Sequence, residues 1–153
     1  MITDNLSKYK HKFTVRVRNF QVDSQGIVHN AIYLEYSEIG RMEYARELGF
    51  HPLPDGVLEN GVKVVVKRNE VTYHNPARLD DLIDIYTRVS YLKNSSFCFE
   101  HILMNPEKNL LLVDQKSVHV NLNPDTNIPE RIPDNFRKAI FNFEGKELEI
   151  IKD

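Results

Sequence analysis

The first regular pattern of apolar and polar positions along the chain predicts a β-strand. Val15 and Val17 alternate with Arg16 and Arg18, and the alternation continues to Phe20. A period of two residues is typical of a strand that has one face in solvent and the other on a core.

A long helix is predicted next, after a loop over positions 21–28. From about Asn30 to Leu48 the residues favour helix, with no proline and a single internal glycine, Gly40. Asn30 is the predicted N-cap, and Gly49 is the predicted left-handed residue at the C-terminus. The apolar side chains do not form one narrow stripe, so we expect a helix that is covered from several sides. They are Ile32, Tyr33, Leu34, Tyr36, Ile39, Met42, Tyr44, Ala45 and Leu48.

Four further strands are predicted between the helix and the proline-rich segment near the C-terminus. In the first, Val62–Val66 and Val71–Tyr73 have opposite parity, so we expect a bulge near Arg68–Glu70. The others are centred on Ile83–Tyr91, on Phe97 and Phe99 before a turn at Asn105–Asn109, and on Val118–Leu122. Pro124, Pro129 and Pro133 end the strands, and a short helix is predicted from about Asp134. This order predicts an α+β fold with an antiparallel sheet, whose open edge and face a second subunit would cover.

Composition excludes several classes of protein. The chain has 153 residues, 41% of them hydrophobic, and a net charge of -2, as expected of a single globular domain. A nucleic-acid-binding protein would need a clustered basic excess, and none is present. The single cysteine, Cys98, excludes an intrachain disulfide or a multi-thiolate metal site and favours a reducing, cytoplasmic environment. No signal peptide or membrane span is recognisable.

The segment before the helix carries the candidate chemistry. It reads VDSQGIVHNAIY from Val22 to Tyr33, and it places a carboxylate, a glycine turn and an imidazole before a buried helix. Unpaired N–H groups at a helix start favour an oxygen that gains negative charge. Asp23 is therefore a candidate general base or nucleophile, and Gly26 permits a left-handed turn or a close approach to a ligand. The alternative is an ordinary type I turn at Asp23 with His29 as a helix-start residue.

Two blocks carry a resemblance to a known family. They are VRNFQVDSQGIVHNAIYLEYSEIGRMEYARELG and GVKVVVKRNEVTYHNPARLDDLIDIYTRVS. From about Phe13 to Pro133 the chain resembles the 4-hydroxybenzoyl-CoA thioesterase family of hotdog-fold proteins, which includes acyl-CoA thioesterases. The resemblance implies a long central helix wrapped by a five-stranded antiparallel sheet. It also implies active sites between subunits and therefore a homodimer or homotetramer.

The resemblance also implies roles for individual residues. Asp23 matches the family's catalytic carboxylate, the backbone N–H of Asn30 matches the group that polarises the thioester carbonyl, and Tyr33 matches an aromatic position of the acyl pocket. Relatives often carry a histidine at the position of Asn30 or directly after Gly26. Here the histidine is His29, one position before Asn30, and it is a candidate catalytic residue beside Asp23 and Asn30.

Other charged residues admit two interpretations. Arg78 and Lys93 are candidate contacts for the phosphates of CoA, although surface solubility explains them nearly as well. Only Lys93 remains where some members have a basic run. Glu35, Glu38 and Glu43 lie on the helix, where other hotdog thioesterases place their carboxylate, but pairing with Arg41 and Arg46 or exposure to solvent is the favoured interpretation.

The resulting prediction is one hotdog domain over residues 1–153, with a core at about 13–133 and a C-terminal extension at 134–153. We expect it to hydrolyse an acyl-CoA or acyl-carrier thioester, without a metal or other cofactor. The alternatives are a non-catalytic acyl-binding protein and a hotdog dehydratase.

Overall fold

The computed structural model describes residues 5–153 and contains one antiparallel sheet with a long helix on one face. The elements, in chain order, are β1 (His11–Arg16), α1 (Asn30–Glu47), β2 (Lys63–Tyr73), β3 (Leu82–Leu92), β4 (Ser96–Asn105), β5 (Leu110–Leu122), α2 (Asp134–Glu144) and β6 (Glu149–Ile150). The strand order is β1-β3-β4-β5-β2, and every pair in this path is antiparallel. This is the arrangement expected of a hotdog fold.

A sixth strand extends the five that were expected. The two-residue β6 pairs in parallel with β3 at Tyr91 and Leu92, on the edge that β1 leaves free. A strand of two residues is too short to show a period of two in the sequence. Its hydrogen bonds to β3 identify it in the structure. The expected bulge is confirmed, since the register of β2 against β5 shifts between Val66 and Arg68.

The first strand lies earlier than predicted. Strand β1 ends at Arg16, and Phe20 lies in a 3₁₀ turn with 83% of its surface exposed. The backbone N–H of Arg18 donates to the side-chain oxygen of Gln21 at 2.8 Å. This local hydrogen bond turns the chain away from the sheet, so the alternation up to Phe20 was not evidence of strand.

The N-cap of α1 is His29 and not Asn30. The Nδ1 atom of His29 accepts a hydrogen bond of 3.1 Å from the N–H of Ala31, and Asn30 is the first helical residue. An imidazole nitrogen can act as acceptor where a cap is usually an Asn or Ser oxygen. At the other end Gly49 has φ +91, which confirms the predicted left-handed conformation.

Helix α1 packs on the sheet through one stripe. The buried residues recur every three or four positions: Tyr33, Tyr36, Ser37, Gly40, Tyr44 and Ala45. At Gly40 the approach is very close, because an added Cβ would lie 2.7 Å from side-chain atoms of Ile85 and Thr87. Ile32, Leu34, Ile39, Met42 and Leu48 are only half-buried. The prediction of a helix covered from several sides is therefore wrong for a single chain.

Two apolar clusters fill the space between α1 and the sheet, with a polar row between them. One contains Tyr36 and Leu103, and the other contains Tyr44 and receives Phe136 from α2. Between them, Thr87, His101 and Gln115 face one another across β3, β4 and β5. Thr87 Oγ1 and His101 Nδ1 are 3.0 Å apart, and burial holds the pKa of His101 well below its usual value.

The sheet ends in an open edge at β2. In the described part of the chain this strand pairs only with β5, and most of its residues are exposed, including Val65 and Val66. An unpaired edge of this length with apolar side chains is a ready surface for a second strand. Within residues 5–153, no helix has the length and apolar character needed to cross a bilayer.

Candidate active site

The loop before α1 and the end of β2 enclose a cleft of about 360 Å³. We call it the Asp23 cleft. Its lining consists of Asp23, Ile27, Val28, Asn30, Tyr33, Tyr73, His74, Asn75 and Pro76. The loop, the helix start and the strand that follows each contribute, so residues that are distant in sequence meet here.

Asp23 is held by its own loop. Its N–H donates to the Ile27 carbonyl at 2.9 Å, and its carbonyl accepts from the N–H of Gly26 at 3.0 Å. Gly26 has φ +78, the left-handed turn that the sequence predicts. The carboxylate accepts one hydrogen bond at Oδ1, from the N–H of Gln25 at 2.8 Å. Asp23 is half-buried, and among residues 5–153 its Oδ2 atom has no hydrogen-bond partner, so it is available to receive a proton or to attack a carbonyl.

The start of α1 supplies a free donor to the same cleft. The N–H of Ala31 and that of Ile32 donate to His29, to its ring and its carbonyl respectively. The N–H of Asn30 precedes any carbonyl of the helix that could accept it, and no other acceptor is found for it in the described part of the chain. An unpaired N–H at the positive end of a helix favours an oxygen with developing negative charge.

Two tyrosines form the wall of the cleft. The Tyr33 hydroxyl accepts a hydrogen bond from the N–H of Ala77 at 2.9 Å, and the Tyr73 hydroxyl donates to the Asn30 carbonyl at 3.2 Å. Their rings meet edge to face, with centroids 5.8 Å apart. Burial raises the pKa of Tyr33, so its hydroxyl stays protonated and serves to fix the ring. Tyr73 was missed from the sequence, although its parity with Val71 places it on the helix side of β2.

Several predicted residues do not line this cleft. His29 caps the helix, and Gly26 forms the turn without lining the cleft. Arg78 lies just before β3 and Lys93 just after it. A strand of this length spans about 33 Å, so one chain does not bring these two cations together.

His74 lines the cleft, but its imidazole is directed elsewhere. Its Nε2 atom makes a hydrogen bond of 2.6 Å with Asp114. Asp114 pairs with Thr72, and Tyr73 lies between Thr72 and His74 on the opposite face of β2. The imidazole therefore lies on the face of the sheet away from α1.

Lys93 has basic neighbours that the sequence did not predict. Arg137 of α2 donates to the Lys93 carbonyl at 2.7 Å. Arg131, Arg137 and Lys152 line one pocket of about 360 Å³ beside Asn94, and burial, followed by the nearby charge of Arg131, lowers the pKa of Arg137. Only the folded C-terminal segment brings these cations to the β3–β4 turn. Within residues 5–153, no group of three His, Cys, Asp or Glu side chains is placed to hold a metal ion.

Comparisons with known proteins identify the family of the chain. The family described as the Thioesterase superfamily matches residues 25–112. The chain is 36% identical over 108 residues to the acyl-CoA thioesterase YbgC of Haemophilus influenzae, covering 71% of this chain and 76% of that protein. It is 25% identical over 133 residues to the chloroplastic acyl-acyl carrier protein thioesterase ATL3 of Arabidopsis thaliana, and the match covers 87% of this chain and 68% of that protein.

A solved structure is also similar over most of its length. A thioesterase of Thermus thermophilus, crystallised with coenzyme A and Zn, superposes with a TM-score of 0.77 at 29% identity, covering 91% of this chain and 97% of that one. The predicted hotdog fold is therefore confirmed. The chain belongs to the thioesterase superfamily, and it is a thioesterase.

Proposed function

We propose that the protein hydrolyses acyl-CoA thioesters at the Asp23 cleft. The observation that carries the proposal is that one mostly apolar cleft is lined by both Asp23, whose Oδ2 has no hydrogen-bond partner among residues 5–153, and Asn30, whose N–H has none there either. The relative from H. influenzae is named an acyl-CoA thioesterase, and the solved structure from T. thermophilus contains coenzyme A.

In the proposed reaction the thioester oxygen lies at the Asn30 N–H, which stabilises the negative charge of the tetrahedral intermediate. Asp23 takes a proton from water, the water oxygen bonds to the carbonyl carbon, and the carbon–sulfur bond breaks. The proton then passes to the thiolate, so the products are a carboxylic acid and free CoA. As a nucleophile, Asp23 would instead form a mixed anhydride that water hydrolyses in a second step.

We also propose that the active unit contains two chains, joined through their open β2 edges. Strands β2 and β3 run in opposite directions, since three antiparallel pairings separate them. The start of β2 and the turn at Lys93 therefore share one end of the sheet, and the Asp23 cleft lies at the other end. A twofold, antiparallel pairing of two β2 strands would bring the Lys93 end of one chain beside the Asp23 cleft of the other.

This arrangement gives the basic residues a role. The phosphates of a CoA bound at one Asp23 cleft would meet Lys93, Arg131 and Arg137 of the second copy, while Arg78 lies at the Asp23 end of its own chain. The net charge of -2 provides no general attraction for an anionic ligand, so such local cations would carry the binding. Acyl-carrier thioesters are the alternative substrates, supported by the match to ATL3. A cytoplasmic location stays a prediction.

The chemistry is tested by thiol release from a panel of acyl-CoAs. We expect Asp23→Asn to lower kcat by at least about a hundredfold, because the amide retains the Oδ1 acceptor but cannot take a proton. Asp55→Asn is the matched control, since Asp55 Oδ1 accepts from the N–H of Val57 in the same kind of turn. Full activity of Asp23→Asn would remove Asp23 from its role. Stabilisation of the protein by acyl-CoA without any thiol release would favour the acyl-binding alternative.

A further inference from the structure

A second cavity, of about 390 Å³, lies between α1, the start of β2 and the ends of the central strands. We call it the Arg41 cavity. It is lined by Glu38, Arg41, Met42, Ala45, Gly56, Leu58, Val64, Val66, Phe97, Phe99, His119 and Phe136. The lining is mostly apolar and rich in aromatic rings, as in a pocket for the apolar part of a ligand.

His119 adds no charge to this cavity. Burial, followed by the nearby charge of Arg41, lowers the pKa of His119 to about 3. Its Nε2 atom already lies 2.8 Å from the hydroxyl of Ser117, and its ring stacks on Phe97. The charged groups of the cavity are therefore Arg41 and Glu38.

Arg41 is half-buried, and no carboxylate of the described residues lies within ion-pair distance of it. Within residues 5–153 its guanidinium makes no hydrogen bond and no ion pair, and Glu38, exposed at the rim, interacts with it only at longer range. Arg88 provides the contrast, since its Nε and Nη2 atoms lie 3.0 and 2.9 Å from the carboxylate of Glu100. A guanidinium stays charged in proteins, and a charge that loses water without a partner is destabilising. The structure thus leaves a place for an anion beside Arg41.

In the proposed dimer, the Arg41 cavity would lie close enough to an Asp23 cleft to receive the acyl chain of the substrate. Asn30 and Arg41 are separated by about 16 Å along α1, so a chain's own Asp23 cleft is distant from its Arg41 cavity. Val64 and Val66 lie at the start of β2, while Tyr73 of the Asp23 cleft lies at its end. Antiparallel pairing of two β2 strands would therefore place the Arg41 cavity of one copy beside the Asp23 cleft of the other.

We propose that the Arg41 cavity binds the acyl part of a dicarboxylic monothioester, whose free carboxylate pairs with the guanidinium of Arg41. The inference rests on the proposed thioesterase reaction and adds the class of substrate. The aromatic and aliphatic lining would hold the methylene chain, and the charge of Arg41 would select a chain that ends in an anion over one that ends in a methyl group.

The test compares thioesters that differ only in the remote group: adipyl-CoA against hexanoyl-CoA, and suberyl-CoA against octanoyl-CoA. We expect the wild type to prefer the dicarboxylic member of a pair in kcat/KM by about tenfold or more. Arg41→Met should abolish that preference while retaining hydrolysis of hexanoyl-CoA and octanoyl-CoA. Arg46→Met is the matched control on the same helix, because Arg46 already pairs with Glu43 at 3.4 Å.

The outcomes separate this inference from the thioesterase proposal. Equal kcat/KM values for both members of each pair, or an equal loss on both in Arg41→Met, would overturn the role of Arg41 and leave the reaction intact. Dissociation of an oligomer in Arg41→Met would assign the guanidinium to a carboxylate of the second copy and would also overturn it. If no thioester is hydrolysed, thermal stabilisation by free octanoate but not by the neutral octanamide, lost in Arg41→Met, still tests the pairing of a carboxylate with Arg41.

Discussion

The hydroxyl of Tyr44 on α1 donates a hydrogen bond of 2.7 Å to the carboxylate of Glu144 at the end of α2. The same carboxylate oxygen, Oε1, accepts from the N–H of Val89 on β3 at 2.9 Å. Glu144 thus joins both helices to the sheet, and its side chain is fully buried. The segment after position 133 is part of the packed structure through this residue as well as through Phe136 and Ile140.

Glu144 predicts a specific dependence of stability on pH. Burial raises the pKa of its carboxyl above the usual 4.5, so the folded state favours the protonated form. The stabilisation this provides is present at low pH and is lost as the pH rises through the raised pKa. We expect Glu144→Gln, which is neutral throughout, to gain stability relative to wild type as the pH rises above 4.5, where the carboxyl of the unfolded chain ionises and that of the folded chain resists ionisation.

The measurement is the free energy of unfolding in urea at several pH values. Glu149→Gln is the control, because Glu149 is exposed and near in sequence. If both variants follow the same pH dependence relative to wild type, the burial of an ionisable Glu144 is not the cause.

For His119 we expect the opposite dependence of stability on pH, with a loss of stability as the pH falls. Its folded-state pKa of about 3 lies below the ordinary 6.5, so the folded state holds the neutral ring. This contribution is complete above pH 6.5 and is lost progressively as the pH falls toward 3. His119→Gln should reduce the slope of unfolding free energy against pH in this range by about 1.4 kcal/mol per unit. An unchanged slope, matching that of the exposed-residue variant His51→Gln, would contradict the prediction.

Gly40→Ala tests the close approach of α1 to the sheet. Alanine favours helix over glycine by about 1 kcal/mol, but its Cβ would lie 2.7 Å from atoms of Ile85 and Thr87. The cost of overpacking is about 1–3 kcal/mol, so we expect a net loss of stability. The melting temperatures of wild type and Gly40→Ala, measured by thermal unfolding, show whether the variant is less or more stable. A higher melting temperature would mean that the helix can move away from β3 without cost.

Periodicity and residue type predicted α1, the five long strands and the Asp23 loop, because these features depend on neighbours in sequence. The cap at His29 was misassigned by one residue, since both His29 and Asn30 can accept a hydrogen bond. Arg41 and Arg137 could not have been predicted from the sequence as binding residues, because that role depends on the residues that the fold brings next to them. An arginine without a counter-ion is indistinguishable in sequence from one with a partner.

The basic cluster near Lys93 predicts a phosphate-dependent effect on substrate binding. We expect Lys93→Met and Arg131→Met to raise KM for an acyl-CoA by about three- to tenfold, with little change in kcat. The same acyl group on N-acetylcysteamine, which lacks phosphates, should be hydrolysed equally by variants and wild type. Lys138→Met is the control, because Lys138 is exposed on α2 outside the pocket. Equal losses on both substrates would exclude a role in phosphate binding.

The open edge of β2 predicts that activity depends on association. Val65 is 41% exposed at the start of this edge strand, and in the proposed dimer it would lie against the second copy. Val65→Glu should repel the second copy and yield a folded monomer with at least about tenfold lower kcat/KM, because each Asp23 cleft would lose the cavity and cations of the other chain. Leu79→Glu, at an exposed position away from β2, is the control. Light scattering with assays over a dilution series measures both properties, and a monomer with undiminished kcat/KM would show that one chain contains a complete site.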